Sequence, residues 1–458
     1  MNAAIPFPGQ IPRGQTQTLR EPKLVTSALV QVALIVVPES IMMGLGQFRA
    51  GALIFIGMLT LFVLYHLAQR EPLRAATLIV GVVPLLAFNR GSFFPFSAPL
   101  ALMVASAAVA MLDTEHLERL RRHRILIAMS VAVAIYWWIS ILISGDYSAN
   151  MKAVELLMSA VCVYLISYRR SLLGTALVAV GITVIGMGLG LLPHGDRLGM
   201  AEGTEEGLLG NPILLGIPAA LTVMLTLLDG GRWLLLDKQP LVRNVLGLTA
   251  AGLLVLSTSK GAWAIALVGL VLAFIFDAAS RKNLSIAVIL VSVAVLVLLS
   301  TSRADIITKQ FDKLLDPERD FASKTTGRSE QWFGFPAAFM AAPVLGHGPS
   351  KGREVSVEYT HKNIPFHSLY LHVGAETGLM GLALLFLFLG FTWVQTYHHR
   401  AETLEVAPMF GIVGFMVIGM SVSALDMLSG VYVGLALVAG HQTGVWRYRE
   451  ARVKAVAR

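Results

Sequence analysis

Long apolar runs alternate along the chain with short turns that hold most of the charge. The first run covers residues 24–45, and others lie near 51–68, 75–89, 97–112, 125–144, 153–168 and 172–192. Seven more lie near 212–229, 242–258, 262–277, 284–300, 366–393, 405–424 and 427–445. A helix needs roughly twenty apolar residues to cross a bilayer, and some runs fall short of that, so the pattern predicts about 12–14 transmembrane helices. Helices are expected because backbone amides in hydrocarbon must be satisfied within their own segment. The first run is too long for a signal-peptide core and no small-residue cleavage pattern follows it, so it reads as the first span. The predicted fold class is an all-α polytopic membrane protein.

Charge placement orients the spans. With the N-terminus inside, 22 of the 36 Lys and Arg fall in inner turns and tails, five in short outer turns, and nine in one long loop. The bias toward one side survives every crossing, which puts both termini in the cytoplasm. The expected organisation is a cytoplasmic segment 1–23, a bundle of about eleven spans over 24–300, and a structured periplasmic loop 301–365 with amphipathic helices. Three further spans over 366–445 and a basic cytoplasmic tail 446–458 complete it. The expected location is the bacterial inner membrane.

Composition agrees: 55% of the 458 residues are hydrophobic and 14% charged, with mean hydropathy +0.70. One soluble core could not hide so much apolar surface, whereas a bilayer accepts it. The net charge of +8 is spread over separate inner turns, so it reads as a topology signal and excludes a nucleic-acid partner. A single cysteine, Cys162, lies in an apolar run. It reads as a small apolar filler, and no thiolate cluster or disulfide can form within the chain.

The loop 301–365 breaks the rhythm of short turns, and connections of this length are usually functional or disordered. Nine basic and eight acidic residues, with apolar positions at helical spacing, argue for structure. Ile307, Phe311, Leu314 and Leu315 share a face of a segment that stops before Pro317, expected to lie on the outer leaflet. A second segment opens at Gly327-Arg328 and runs through Trp332, Phe333, Phe335 and Phe339 to Pro343, followed by a turn at Gly346-His347-Gly348-Pro349. The next apolar run opens with Phe366-His367-Ser368, which puts His367 at the outer mouth of a span.

No phosphate-binding glycine loop, metal-ligand pair or nucleophile triad is legible, so neither metal nor cofactor is expected. The candidate chemistry is cationic and outward-facing: Lys260 in a turn between spans, Arg328 opening a loop helix, and Arg197 in the outer loop 193–211. Lys260 and Arg197 also fit a plainer role as side chains snorkelling to head groups. Fixed cations can neutralise a diphosphate leaving group without a metal, and a neutral His367 can take a proton from an acceptor hydroxyl. Among ionisable residues within spans, Glu376 follows His372 by four and shares its helix face, so the two can satisfy each other. Gly374, Gly378 and Gly381 read as packing positions of that helix.

Four stretches carry a family resemblance. They are Gly210-Asn211-Pro212, Ser259-Lys260-Gly261, Gly327-Arg328 with Trp332, Pro343 and Gly346-x-Gly348, and His367-Ser368 with Tyr370, Glu376, Gly378 and Gly381. In order and spacing, over roughly residues 205–400, the chain resembles the superfamily of O-antigen ligases and lipid-linked polysaccharide polymerases. The resemblance implies a metal-independent glycosyltransferase on the periplasmic face. It would move a glycan from undecaprenyl diphosphate to an acceptor saccharide or the lipid A core, with inversion at the anomeric carbon. Arg328 then corresponds to the family's diphosphate-binding arginine and His367 to its acceptor base. Lys260 stands where arginine is common, which replaces a fork by a point charge, and Ser368 stands where asparagine is common. Arg197 is a further candidate for the same anionic head. Expected partners are the lipid-linked glycan, the acceptor, membrane lipid and other polysaccharide-assembly proteins. The rival expectation is a transporter or flippase of lipid-linked polysaccharide, which would show paired halves and a mid-membrane site.

Overall fold

A computed structural model describes residues 48–72, 212–234, 236, 239–257, 259–276, 328–348, 351–363, 365–421 and 433–437, with scattered positions elsewhere. Every regular element among the described residues is a helix. In chain order they are α1 (Phe48–Ala68), α2 (Pro212–Val223), α3 (Pro240–Leu256), α4 (Lys260–Phe276), α5 (Arg328–Ala341), α6 (Gly352–Thr360), α7 (Leu369–Thr403) and α8 (Ala407–Ser421). The ends of α1 to α4 and α8 fall within a few residues of the apolar runs in the sequence. Helix α2 continues through one wide π-turn, Met224–Leu228, into a reversal at Gly230 and Gly231, both at positive φ. The expected amphipathic segment around 307–315 lies mostly outside the described residues.

Helices α2, α3, α4 and α8 pack as a bundle, and α7 lies against α8. One end of this bundle is tied by polar groups. Arg400, on α7, donates from Nη2 to the Phe276 carbonyl at 2.8 Å and lies 5.1 Å over the Phe276 ring. Buried His399 pairs with Glu405 at 2.9 Å and meets Trp233 edge-on. Arg243 donates to the Gly230 carbonyl, and Arg232 sits beside Asp229. Three arginines that the charge pattern assigns to one side therefore collect at one end. Lys260 begins α4 about 24 Å away from Phe276 along the helix, at the opposite end.

The largest departure from the expected layout is the run 366–393. It is not one straight span. At Gly378 the backbone takes φ 61 and ψ −155, a region open essentially to glycine alone. The ring of Tyr370 stacks on that of Phe386 with centroids 5.8 Å apart, whereas a straight helix would separate these residues by about 24 Å. A Cβ on Gly374 would come within 3.1 Å of the Leu382 side chain, and one on Gly381 would press on Thr377 and Val373. Helix α7 is therefore a hairpin: a short arm, α7a (369–377), folds back along a long arm, α7b (379–403). Gly374 and Gly381 are packing positions as expected, but the neighbour they admit is the other arm of their own element.

By length and composition, Leu369–Ala401 is the one stretch among the described residues that could cross a membrane. With the reversal at Gly378, the portion that could cross is 379–401, about 34 Å long and close to the thickness of a hydrocarbon core.

A chain reversal inside a helix leaves carbonyls without partners on one side and amides on the other. The turn after α5 supplies both sets. The His347 and Gly348 amides donate to the Ala375 and Glu376 carbonyls, each at 2.9 Å. The Pro343 and Val344 carbonyls accept from the Leu379 and Met380 amides at 2.8 and 3.2 Å. The approach is close enough that a Cβ on Gly346 would overlap the Glu376 backbone, and one on Gly378 would lie 2.5 Å from the Val344 carbonyl oxygen.

These contacts set an expectation for stability. Gly378→Ala should destabilise the protein by at least about 1–3 kcal/mol of backbone strain, before its overlap with Val344. Gly390→Ala, on the same long arm with open space around it, should be neutral or stabilising by up to about 1 kcal/mol. Thermal unfolding of both variants in the same detergent checks the contrast.

Candidate active site at the start of the hairpin

His367 lies just before α7a, and its backbone is fixed on every side. Phe366 is fully buried in a cluster with Ala338, Val355 and Ala375, and its ring meets Phe335 edge-on. The Ser368 hydroxyl donates to the Gly419 carbonyl at 3.2 Å, filling a vacancy in the last turn of α8. The Tyr370 hydroxyl donates to the Met416 carbonyl at 2.9 Å.

The contact that matters most comes from α5. Gln331 is 1% exposed. Its Oε1 accepts the His367 amide at 2.8 Å, and its Nε2 donates to the Pro365 carbonyl at 3.0 Å and to the Ser356 hydroxyl at 3.3 Å. The orientation of this side-chain amide is forced, because one of its backbone partners can only donate and the other can only accept. Gln331 follows Arg328 by three, which puts both on one face of α5. The helix that holds the histidine backbone thus also delivers the arginine.

Arg328 is close enough to act electrostatically on His367. Burial lowers the proton affinity of the imidazole, and the Arg328 charge lowers it further. The pKa therefore lies below its ordinary value, and the ring is neutral at pH 7, with a nitrogen able to accept a proton. Burial also pulls Arg328 downward, yet a guanidinium keeps its charge at any working pH. The pair is a neutral base beside a fixed cation.

The other site residues from the sequence fall differently. Lys260 begins α4, half-buried, at the His367 end of the bundle, while the charge acting on His367 is that of Arg328. Arg197, Gly210, Asn211 and Gly327 lie outside the described residues. His372 and Glu376 do meet, at 3.2 Å, but the buried Glu376 carboxylate also accepts the Gly352 amide at 2.9 Å. It therefore caps the start of α6, where a negative charge is favoured. No group of three or more potential metal ligands occurs among the described residues. Sequence reading missed Gln331. Its legible trace is an uncharged polar residue three positions after Arg328, on a face otherwise built for packing.

The helices that carry Lys260, Arg328 and Gln331, His367 just before α7a, and the hairpin tip with its glycines fall within one continuous stretch of sequence. Residues 245–386 match the O-antigen ligase family, Wzy_C. The O-antigen ligase match starts inside α3 and stops at Phe386, the residue that stacks on Tyr370. It is narrower than the resemblance over 205–400 and contains the whole arrangement of α5, α6 and α7a. Members of the O-antigen ligase family are polytopic bacterial membrane proteins, ligases and polymerases of surface polysaccharide synthesis. No curated protein matches the chain.

The sign of the Arg328 effect is testable. In ¹⁵N-histidine NMR of the full chain, His367 should titrate below 6.5, the ordinary histidine value. In Arg328→Gln its pKa should rise. Because the unfolded chain binds the proton more readily, this group should make stability fall as pH drops through 6.5 toward the folded value.

Proposed function

We propose that the chain transfers a glycan from undecaprenyl diphosphate to an acceptor saccharide on the periplasmic face, as a polymerase or ligase of surface polysaccharide. The observation that carries this reading is His367, its backbone amide held by Gln331 and its imidazole within reach of the Arg328 charge, which lowers its proton affinity. The family match over 245–386 supplies the substrate class.

The reaction follows from the charges. An acceptor hydroxyl oxygen attacks the anomeric carbon and its proton passes to the free nitrogen of His367. The bond from that carbon to the diphosphate breaks, and the electron pair leaves on the diphosphate oxygen. Arg328 stabilises the charge that develops there, with the two-pronged geometry that suits phosphate oxygens. Lys260, at the same end of the bundle, adds a point charge for the diphosphate, and Arg197 is a further candidate.

The pairing of base and cation also couples the steps. With the site empty, Arg328 holds the proton affinity of His367 down. A diphosphate seated on Arg328 offsets that charge and adds its own, which makes His367 a stronger base. The base is strengthened when the donor is in place.

The test uses the full chain in nanodiscs with lipid-linked saccharide and acceptor, following release of undecaprenyl diphosphate. His367→Ala should lose about 10²–10⁴-fold in rate, the usual contribution of a general base. Equal release by wild type and His367→Ala overturns the assignment. Movement of intact lipid-linked glycan across the bilayer without release would favour a transporter. Gln331→Glu keeps an acceptor for the His367 amide but adds a negative charge near the imidazole. It also loses the donor to the Pro365 carbonyl, but in the activity that remains it should shift the acidic limb of the pH–rate profile upward. A purely structural role for Gln331 would leave that limb in place.

A further inference from the structure

Helix α5 carries apolar residues on its outward face as well as on its inward one. Its inward face carries Gln331 and Ala338, both buried, with Phe335 packed against the cluster that holds Ala338. Its outward face carries Trp332, Phe333, Pro336, Ala337 and Met340, all exposed, with Phe333 at 79% and Met340 at 71%. The spacing of three to four keeps these positions on one stripe along the helix. A single exposed apolar residue needs no explanation, but a continuous stripe marks an interaction surface.

The stripe does not end with the helix. Val344 and Leu345, in the turn after α5, are also exposed. The carbonyls of Pro343 and Val344 accept from the Leu379 and Met380 amides, so the patch abuts the top of α7b. Leu379 and Met380 are exposed there, and Phe386 and Leu387 continue the apolar surface down the segment that crosses the membrane. Helix α6, packed against α5, is different: Arg353, Glu354 and Glu358 are turned outward, and Lys351 pairs with Glu354 at its start. One side of the lobe suits hydrocarbon and the other suits water.

We propose that α5 is immersed in the hydrocarbon of the leaflet on the His367 side, its Trp332–Phe333–Met340 stripe against lipid acyl chains, while α6 stays in water. The occupant is lipid, because the stripe runs unbroken into the flank of the spanning helix. The fold of the hairpin agrees with this depth. Tyr370, three residues after His367, is level with Phe386, about 12 Å below the tip at Gly378. The sequence pattern placed α5 in a periplasmic loop and His367 at the outer mouth of a span. Immersion instead sets Arg328 and His367 beside the spanning helix, within the leaflet and below the level of Gly378. The inference does not rest on the proposed reaction and is tested without any substrate.

The experiment is site-directed spin labelling of the full chain with Cys162→Ala as background, in vesicles of phosphatidylethanolamine and phosphatidylglycerol. Labels go at Phe333 and Met340, with Leu387 as the lipid reference and Glu358 as the water reference. Power saturation then compares collisions with dissolved oxygen and with a water-soluble nickel chelate. Labels at 333 and 340 should follow the Leu387 label: high oxygen and low nickel collision. Nickel collision matching the Glu358 label at both sites would overturn the proposal and return α5 to water. Low collision with both reagents, together with a strongly immobilised spectrum, would show protein covering the stripe and would overturn it equally. Each label is read in protein that elutes as the wild type does in size exclusion, and using two positions guards against one of them failing to fold.

Discussion

The candidate site depends on how the reversal at Gly378 is made. Reversing a helix within an apolar run exposes backbone groups where water is scarce, and each unpaired group costs on the order of 1–3 kcal/mol. The turn 343–348 answers with four backbone hydrogen bonds, two on each side of the break. Backbone can approach backbone this closely only where Cβ atoms are missing, which accounts for Gly346 and Gly378. Without the reversal α7a would continue the line of α7b, and His367 would lie far from α8.

From that constraint the rest of the lobe follows. The turn that fills the break is the end of α5, so closing the hairpin also fixes α5. Helix α5 in turn holds the His367 backbone through Gln331 and carries Arg328 on the same face. Glu376, in the last turn of α7a before the tip, ties in the start of α6, and Ser356 of α6 reaches Gln331. Three short helices and one turn thus lock one another through buried polar contacts. Networks of this kind are stable when each member is satisfied and costly when one is lost.

Much of this was present in the sequence as composition and much was absent as geometry. The apolar runs located α1 to α4 and α8 to within a few residues, because burial in lipid demands continuous apolar sequence whatever the packing. Arg328 and His367 could be singled out because a cation and a titratable ring next to apolar segments are chemically conspicuous. The hairpin could not be read. Residues 369–403 are apolar on both sides of Gly378, and hydropathy has no sign for a change of direction. Gly346-x-Gly348 and Gly378 were visible as motifs, but that they fit each other is a fact of three dimensions. Gln331 was hidden for a similar reason: a neutral amide carries no charge to notice, and its value lies in two backbone groups 34 and 36 residues away.

Arm α7a is a strut pinned at both ends: by the turn 343–348 at its tip, and by Ser368 and Tyr370 to the end of α8 at its base. A rigid rod so held has no slack of its own, so its position is the resultant of two supports. One support belongs to the lobe and the other to the bundle. Bilayers of different thickness tilt helices by different amounts, and any tilt of α8 is delivered at its last turn, where Gly419 holds Ser368. Any shift of α8 against the lobe is therefore carried by its last turn straight to the backbone beside His367.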